Sequence, residues 1–380
     1  MQPAQLIDAA ADKHLWSQTY DRKLDDIFAI QDEIAADVVK QLKVTLLGAA
    51  PKARVTDPEA YRLYLKGRDF LIGTDQEMDK SVDFFQQAIA KAPDYAMAYA
   101  GLGDAYATQA FLRGNSRAEA AGKARAAVMR ALELDPDLGE AHAALGTILF
   151  LFEWDWAGAD AEFQRALALS PGSEAVHEAY GSFLNAMGRM DEGLAQSREA
   201  ARLDPLSVMP FHDMAINALV RGSYDEAAAG FRHTIAIDPD WTWGYIKLSR
   251  ALSLQGDCKE ALAQAAIAEH RIAGSAGPLS RSWLGSTYAT CDDVEHARQK
   301  IAEIHALEAK RYVDPATFVG IYAALGEFDE ALRWYHKALD DRSPDLVYAR
   351  MLGKIIPKFG ASAGYGAILE RMKFPVVGKL

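Results

Sequence analysis

Three histidines are the side chains of this sequence best suited to chemistry, because imidazole is a common ligand for metal ions. His142, His177 and His212 are spaced 35 residues apart, so they fall at nearly the same place in successive units of that length. Zinc needs ligands that converge on one point and further groups that orient them. Packed helices of neighbouring units stand on the order of 10 Å apart, too far for one ion. We therefore predict that these histidines pack between helices and hold no metal.

Other reactive side chains lack a catalytic setting. Asp135, Asp204 and Asp238 each precede a proline, where aspartate usually bonds to its own backbone at a turn. Gly101 and Gly103 lie in AGLGDAY, which lacks the third glycine of a dinucleotide-binding loop. No Ser-His-Asp or Cys-His grouping has supporting context. We predict that the chain is not an enzyme and uses no cofactor.

The excess of acidic over basic residues indicates which classes of partner are not expected. Among 380 residues, 53 are acidic and 41 are basic, which gives a net charge of −12. Nucleic acid is not expected as a partner, since phosphate binding needs a concentrated basic face. The same acidity repels anionic membranes, and the longest apolar run, residues 148–152, is far shorter than a membrane span. With no signal-peptide pattern at the N-terminus, the sequence predicts a cytoplasmic protein.

The cysteine content predicts no disulfide framework. Cys258 and Cys291 are the two cysteines of the sequence, and both fall near loops of neighbouring repeats. Two cysteines are too few to staple a chain of this length, so we expect two free thiols.

The elements that would position these residues repeat along the chain. Five segments end alike, at Pro93, Pro136, Pro171, Pro205 and Pro239, with gaps of 43, 35, 34 and 34 residues. Proline lacks a backbone N–H and cannot continue a helix, so each proline marks the end of one unit. Small residues such as Gly103, Gly146 and Gly181 are expected where the two helices of a unit approach closely.

On this period and these small residues, the chain resembles the tetratricopeptide-repeat (TPR) family, whose repeat is a pair of antiparallel helices. The resemblance implies an all-α superhelix, or solenoid, of about eight repeats over 58–344, followed by capping helices over 345–380. The repeats read as 58–93, 96–136, 139–171, 174–205, 208–239, 242–275, 278–309 and 312–344. An insertion near residues 112–117 is expected to lengthen the loop inside the second repeat. Stacking supplies the core, because one repeat cannot bury its own apolar face.

The resemblance also implies a binding site. In TPR proteins the first helices of the repeats line an inner groove that usually binds a peptide, and their second, fifth, ninth and twelfth positions face it. The residues predicted on this basis are Asp104, Phe150, Glu178, Asn185, Met209, His212, Trp243, Ile246 and Arg250. Some family members grip a peptide carboxylate with lysines and asparagines at the fifth and ninth positions, and these residues are absent from those two positions here. We expect an acidic first half and an apolar second half around Met209 and Trp243, which suits a partner helix.

Residues 4–47 do not fit the repeat. Residues 4–8 and 14–20 alternate as the strands of a hairpin would, and Asp25 precedes a predicted helix with one apolar face. This N-terminal domain, residues 1–50, resembles the end of a TolB-like domain, which in bacteria precedes TPR arrays in adenylate cyclase-type and CadC-like regulators. Two interpretations stay open: the chain is one part of a larger or split regulator, or the hairpin folds over the first repeats as a cap. The open hairpin edge would also allow a homodimer.

The leading hypothesis is therefore a bacterial interaction scaffold, acting in signal transduction, that binds a protein or peptide segment in its inner groove. The alternative is a regulatory or sensor module of a nucleotide cyclase or transcription regulator, whose catalytic or DNA-binding part is absent from this chain.

Overall fold

The computed structural model describes residues 2–8, 13–20, 57–71, 75–113, 117–272 and 277–375. The chain divides into two compact units, residues 1–62 and residues 63–380. In the first unit, strands β1 (Gln2–Asp8) and β2 (Lys13–Tyr20) pair antiparallel, and the register shifts once along the ladder. The helix that we predicted after Asp25 lies outside the described residues.

Helices make up most of the described chain and follow one another in packed pairs, in which an odd-numbered helix is the first and an even-numbered helix the second. They are α1 (Pro58–Asp69), α2 (Asp75–Lys91), α3 (Ala96–Arg113), α4 (Arg117–Leu134), α5 (Gly139–Ile148), α6 (Trp156–Leu169), α7 (Glu174–Ala186), α8 (Met190–Leu203), α9 (Val208–Val220), α10 (Tyr224–Ile237), α11 (Thr242–Gln255), α12 (Cys258–Arg271), α13 (Pro278–Thr290), α14 (Val294–Glu308), α15 (Ala316–Ala324) and α16 (Phe328–Asp340). A 3₁₀ turn (Pro344–Tyr348), α17 (Ala349–Ile355), α18 (Pro357–Gly360) and α19 (Ala363–Arg371) complete the described chain. The predicted helical TPR solenoid is confirmed.

The turns within the pairs explain where the first helices end. Gly188, Gly222, Gly256 and Gly326 all have a positive φ, of 80°, 80°, 96° and 79°, a backbone conformation that residues with a Cβ atom avoid. The next helix then begins with its own cap in several repeats. After Gly256, for example, Asp257 Oδ1 accepts a hydrogen bond from the backbone N–H of Glu260 at 3.1 Å, which satisfies one donor at the start of α12.

Close approach within a pair depends on small residues. A Cβ atom on Gly103 would overlap the side chain of Val128 on α4, and one on Gly146 would lie 3.1 Å from the ring of Phe163 on α6. Phe163 is fully buried, so its ring cannot move aside without opening the core. The prediction that these two glycines mark helix contacts is confirmed.

The second repeat departs from our expectation of a longer loop. Helices α3 and α4 are 18 residues long each, against 13 and 14 residues for α7 and α8. The residues of the insertion therefore extend both helices, and only 114–116 separate them. Alanine is abundant on both sides of this break, and alanine has the highest helix propensity.

The third repeat contains a π-helical turn. Helix α5 passes into Leu149–Glu153 with π geometry, and Trp154 then takes a left-handed backbone conformation with a φ of 57°. A π turn adds one residue to a helix and rotates the side chains that follow, often at functional sites. Here the turn carries Phe150, which is buried on the inner face of the array.

The two cysteines form a disulfide, so our prediction of free thiols is wrong. Cys258 is the first residue of α12 and Cys291 directly follows α13, and their Cα atoms are 5.4 Å apart. The two residues are 33 positions apart, close to one repeat, and stacking brings residues at that separation together. The spacing of Cys258 and Cys291 by about one repeat therefore indicated that they lie close together, which the number of cysteines alone does not show.

The segment after the last pair, residues 344–375, is here called the C-terminal segment. Phe359 stacks 5.9 Å from the ring of Tyr335 on α16, which covers the end of the array. The segment also extends back to the third repeat, where Trp156 Nε1 donates a hydrogen bond to the carbonyl oxygen of Met372 at 3.3 Å. It therefore does more than cap the last repeat.

Candidate functional site

The first helices of the repeats surround one cavity. The array curves until α13, in the seventh pair, contacts α3, in the second pair. The cavity is partly open and has a volume of about 440 Å³, within the range of roughly 300–1,000 Å³ that is typical of ligand sites. Its wall comes mainly from the odd-numbered helices, as the TPR resemblance implied, and from the C-terminal segment, which the sequence analysis did not place there; Phe85 on α2 and Tyr335 on α16 also contribute.

Most of the predicted groove residues line this cavity. The eight that do are Asp104, Phe150, Glu178, Asn185, Met209, His212, Trp243 and Arg250. The ninth, Ile246, is 1 % exposed and belongs to the core. The next residue of α11, Lys247, lines the cavity instead, because residues four apart, such as Trp243 and Lys247, share one face of a helix.

Two of these eight side chains also join neighbouring repeats. Asn217 Nδ2 donates to Asn185 Oδ1 at 2.7 Å, which links α9 to α7. Arg250 is 2 % exposed and donates from Nη1 to the carbonyl oxygen of Ser286 at 2.9 Å, which links α11 to α13. Burial lowers the pKa of the Arg250 guanidinium to about 10. Substitution of Asn185 or Arg250 would therefore disturb stacking as well as the cavity.

Two of the three histidines are structural. His142 Nε2 lies 3.0 Å from the carbonyl oxygen of Pro136, and His177 Nε2 lies 3.0 Å from that of Pro171. The Nδ1 atom of each contacts a side chain on the second helix of the same repeat, at 2.6 Å. Both ring nitrogens are thus engaged in holding a repeat together, which agrees with the predicted packing role.

The third histidine differs because the fifth repeat has a phenylalanine at the equivalent position. Tyr99 and Tyr245 occupy that position in two other repeats and donate to the carbonyl of the proline six residues earlier, at 3.3 and 3.1 Å. Phe211 has no group for this bond. His212 follows it, about 100° further round the helix, and faces the cavity, with Nδ1 3.1 Å from Asp213 Oδ1. Burial lowers the pKa of His212.

One part of the wall is an aromatic pair around a lysine. Lys247 Nζ lies 5.3 Å from the ring centroid of Trp243 and 3.1 Å from that of Trp283. Burial holds the pKa of the Lys247 ammonium well below its usual range, while the faces of the two indole rings attract its positive charge. Trp283 and Lys247 were not predicted from the sequence, although Lys247 continues the face that Trp243 begins.

Another part of the wall is acidic. Asp104 on α3, Glu178 on α7 and Asp213 on α9 line the same cavity. Burial raises the pKa of Asp104 to about 7. Burial, and then the charge of Asp213, raise the pKa of Glu178 well above its usual range. A carboxylate removed from water holds its proton more tightly, and the positive charge of Arg68 offsets only part of this effect at Asp104 and Glu178.

The C-terminal segment forms the remaining wall. The Tyr348 ring lies 5.4 Å from that of Phe111 and 6.0 Å from that of Phe150, and its hydroxyl is 3.3 Å from Ser182 Oγ. Arg350 donates to the carbonyl oxygen of Met187 at 2.7 Å. The inner face is thus covered in part by the protein's own chain, which contacts the second, third and fourth repeats.

Within the described residues, no helix has the length and apolar character that crossing a membrane requires. The same residues contain no group of three or more His, Cys, Asp or Glu side chains placed to hold a metal ion.

In the part of the chain that the structure describes, eight helix pairs stack with their first helices facing a common interior, which is the fold of a TPR solenoid. No protein-family model matches the chain. A Rhizobium meliloti (strain 1021) protein with the name "Putative adenylate cyclase 3" is 30% identical over 203 residues, which are 50% of this chain and 27% of that protein. The type IV pilus assembly protein PilF of Pseudomonas aeruginosa is 34% identical over 90 residues, which are 24% of this chain and 33% of PilF. The chain thus spans about a quarter to a third of these two relatives.

Among solved structures, the human IFIT1 dimer with PPP-AAAA is similar in fold. It is 14% identical, with a TM-score of 0.53, over 82% of this chain and 78% of that chain. At this identity the likeness concerns the fold alone.

Proposed function

We propose that this protein is a non-enzymatic interaction scaffold that binds a short segment of a partner protein in its inner cavity. The observation that carries the proposal is the composition of the cavity wall, in which apolar and aromatic side chains surround a few charged ones. In binding sites of this kind, apolar contacts supply affinity and polar groups set orientation.

The size of the cavity limits the segment. The cavity has a volume of about 440 Å³ and is partly open to solvent, so a bound segment would place a few residues inside it and extend out of it. The occupant we propose is therefore a short segment, either helical or extended.

The test removes two apolar side chains from the wall with the double substitution Trp243→Ala and Met209→Ala. Random octapeptides displayed on phage are first selected on the wild-type protein, and the selected pool is then titrated against the variant. Burial of one large apolar side chain is worth about 1.5–3 kcal/mol, so we expect the affinity to fall at least tenfold.

The control for this test is Leu206→Ala, because Leu206 is 80 % exposed and lies outside the cavity. Thermal unfolding followed by circular dichroism shows whether each variant keeps its fold. Unchanged affinity of the double variant would mean that the peptides bind elsewhere on the protein.

A second candidate is a sensor module of a nucleotide cyclase or transcription regulator. It is supported by the alignment of half of this chain with a protein named as an adenylate cyclase. In that case β1 and β2 would be the end of a TolB-like domain. A cyclase or winged-helix domain encoded beside this chain, with an activity that changes when this chain is added, would favour this candidate. An unchanged activity would count against it.

The cytoplasmic location, the exclusion of nucleic acid and membranes as partners, and a homodimer through the hairpin edge remain predictions. The Cys258–Cys291 bond argues against a reducing cytoplasm, where disulfides are rare.

A further inference from the structure

The cavity wall carries five carboxylates, of which Glu140 accepts a hydrogen bond from Ser170 Oγ and Asp345 lies in the C-terminal segment. Asp104, Glu178 and Asp213 belong to the first helices of the second, fourth and fifth repeats. In the part of the chain that the structure describes, the carboxylates of Asp104 and Glu178 make no ion pair within 4.0 Å and no hydrogen bond. Buried carboxylates are normally paired or hydrogen-bonded, because transfer of a charge out of water costs free energy.

Asp213 supplies the second observation. The Asp213 side chain is 10% exposed, and its Oδ1 atom contacts His212 Nδ1 at 3.1 Å. Its other oxygen, Oδ2, is buried and has no hydrogen-bond partner among the described residues. Such atoms are rare in folded proteins, and this one belongs to a residue that lines the cavity.

The neighbouring cations are engaged elsewhere. Arg68 Nη2 pairs with Glu174 at 3.2 Å, and Arg250 is bonded within the wall. Lys247 Nζ lies over the ring of Trp283, and no carboxylate oxygen of the described residues lies within 4.0 Å of it. The acidic side of the cavity therefore has more carboxyl groups than cations in contact with them.

Resting on the proposed function, we propose that the bound segment places a lysine or arginine side chain against Asp104, Glu178 and Asp213. An ammonium group offers three donors and a guanidinium five, so one such group can serve several carboxylates. The aliphatic part of the side chain would lie along the apolar wall near Phe150 and Met209, as long cationic side chains commonly do.

An acidic or neutral segment fits these residues less well. An acidic side chain would add a like charge to carboxylates that already repel one another. A neutral one would leave Asp213 Oδ2 without a charged donor, and hydrogen bonds to ionised groups are roughly twice as strong as neutral ones.

The experiment compares three pools of random octapeptides that differ only at a fixed central residue. One pool has arginine, one has citrulline, which keeps the shape of arginine without its charge, and one has glutamate. We expect the wild-type protein to retain the arginine pool at least tenfold better than the citrulline pool, and the glutamate pool least. The double substitution Asp213→Asn with Glu178→Gln should remove the preference for arginine.

Asp191→Asn is the matched control, because the Asp191 side chain is 92% exposed on the outer surface. It should keep the preference of the wild type. The comparison of pools on the wild-type protein tests the proposal even where a cavity variant fails to fold.

The failures of the two proposals are distinguishable. Equal retention of the arginine and citrulline pools, or a preference for glutamate, would overturn the cationic occupant and leave the peptide-binding scaffold standing. Retention of none of the pools would overturn the scaffold proposal and this one with it. Cadaverine is a free diamine with no peptide backbone. If it binds as tightly as the arginine pool, the proposal that a peptide supplies the cation is wrong.

Discussion

Asp104 shows how a single side chain couples the cavity to pH. Burial raises its pKa to about 7, the charge of Arg68 opposes this, and the charge of Glu140 adds to it. An aspartate in an unfolded chain has a pKa of about 3.9. The pKa of Asp104 is thus higher in the folded protein than in the unfolded chain. Its contribution to the free energy of unfolding is therefore fully present below about pH 4 and is lost as the pH rises to about 7.

We therefore expect Asp104→Asn to stabilise the protein at pH 8. One pKa unit corresponds to about 1.4 kcal/mol, and the partial exposure of Asp104 screens part of that energy. The expected gain in the free energy of unfolding is about 1–2 kcal/mol at pH 8 and smaller at pH 5, measured by urea unfolding at both values. Asp191→Asn, which removes only an exposed ion pair with Arg221, should change the free energy of unfolding by less than about 1 kcal/mol at either pH. A loss of stability at pH 8 would show that the ionised carboxylate has a favourable partner.

At this scale the sequence already held a signal that separates His212 from the other two histidines. The position six residues after the repeat proline is tyrosine or histidine in four repeats, but in the fifth repeat it is Phe211. His212 is therefore one residue beyond the position that His142 and His177 occupy. The partnerless Oδ2 of Asp213 was not predictable, because it depends on which side chains of other repeats reach it.

At the scale of helices, the sequence predicted most of what the structure contains. The prolines and turn glycines mark the ends of helices because of their own backbone chemistry, so no knowledge of packing is needed. The lengthened α3 and α4 and the π turn at Leu149–Glu153 were missed, because a repeat period shows that residues have been inserted but not which element accommodates them.

The disulfide between α12 and α13 gives a prediction about the stacking of the sixth and seventh repeats. In the chain-entropy account, a bond that closes a loop of 33 residues stabilises a protein by about 3–4 kcal/mol. We expect a reducing agent to lower the melting temperature of the wild-type protein and to leave that of Cys258→Ser unchanged, as measured by calorimetry.

Titration of thiols in the denatured protein provides the control for this prediction. It should find none before reduction and two afterwards. A wild-type melting temperature that does not respond to reduction, together with two titratable thiols from the start, would contradict the bond.

At the scale of the whole array, the C-terminal segment changes how stability is distributed. In an open solenoid each repeat contacts only its neighbours. Here Tyr348 contacts three repeats, Arg350 contacts the fourth, and α13 contacts α3. These long-range contacts couple the stabilities of distant repeats, because unfolding one repeat removes contacts that stabilise another. We therefore expect the array to unfold cooperatively.

Tyr348→Ala tests this description. Loss of the ring removes its contacts with Phe111 and Phe150, and removal of a large buried side chain costs about 3–5 kcal/mol at a core site. Because Tyr348 is only partly buried, we expect a loss of about 2–3 kcal/mol and a broader urea transition.

Tyr348→Phe is the matched control, since it removes only the hydroxyl that contacts Ser182 and should cost about 1 kcal/mol. An alanine variant as stable as the wild type would mean that the segment rests on the array without holding it together.

The position of this cover at the end of the chain has a consequence for protein synthesis. Translation proceeds at about 5–20 residues per second, and N-terminal parts fold first, so about 3–12 s pass between the synthesis of Trp283, the last residue of the acidic and aromatic walls, and that of residue 344. During that interval the acidic and aromatic walls exist without the segment that later closes them. The nascent chain and the finished protein therefore present different surfaces, and a partner that meets the protein on the ribosome finds an open site.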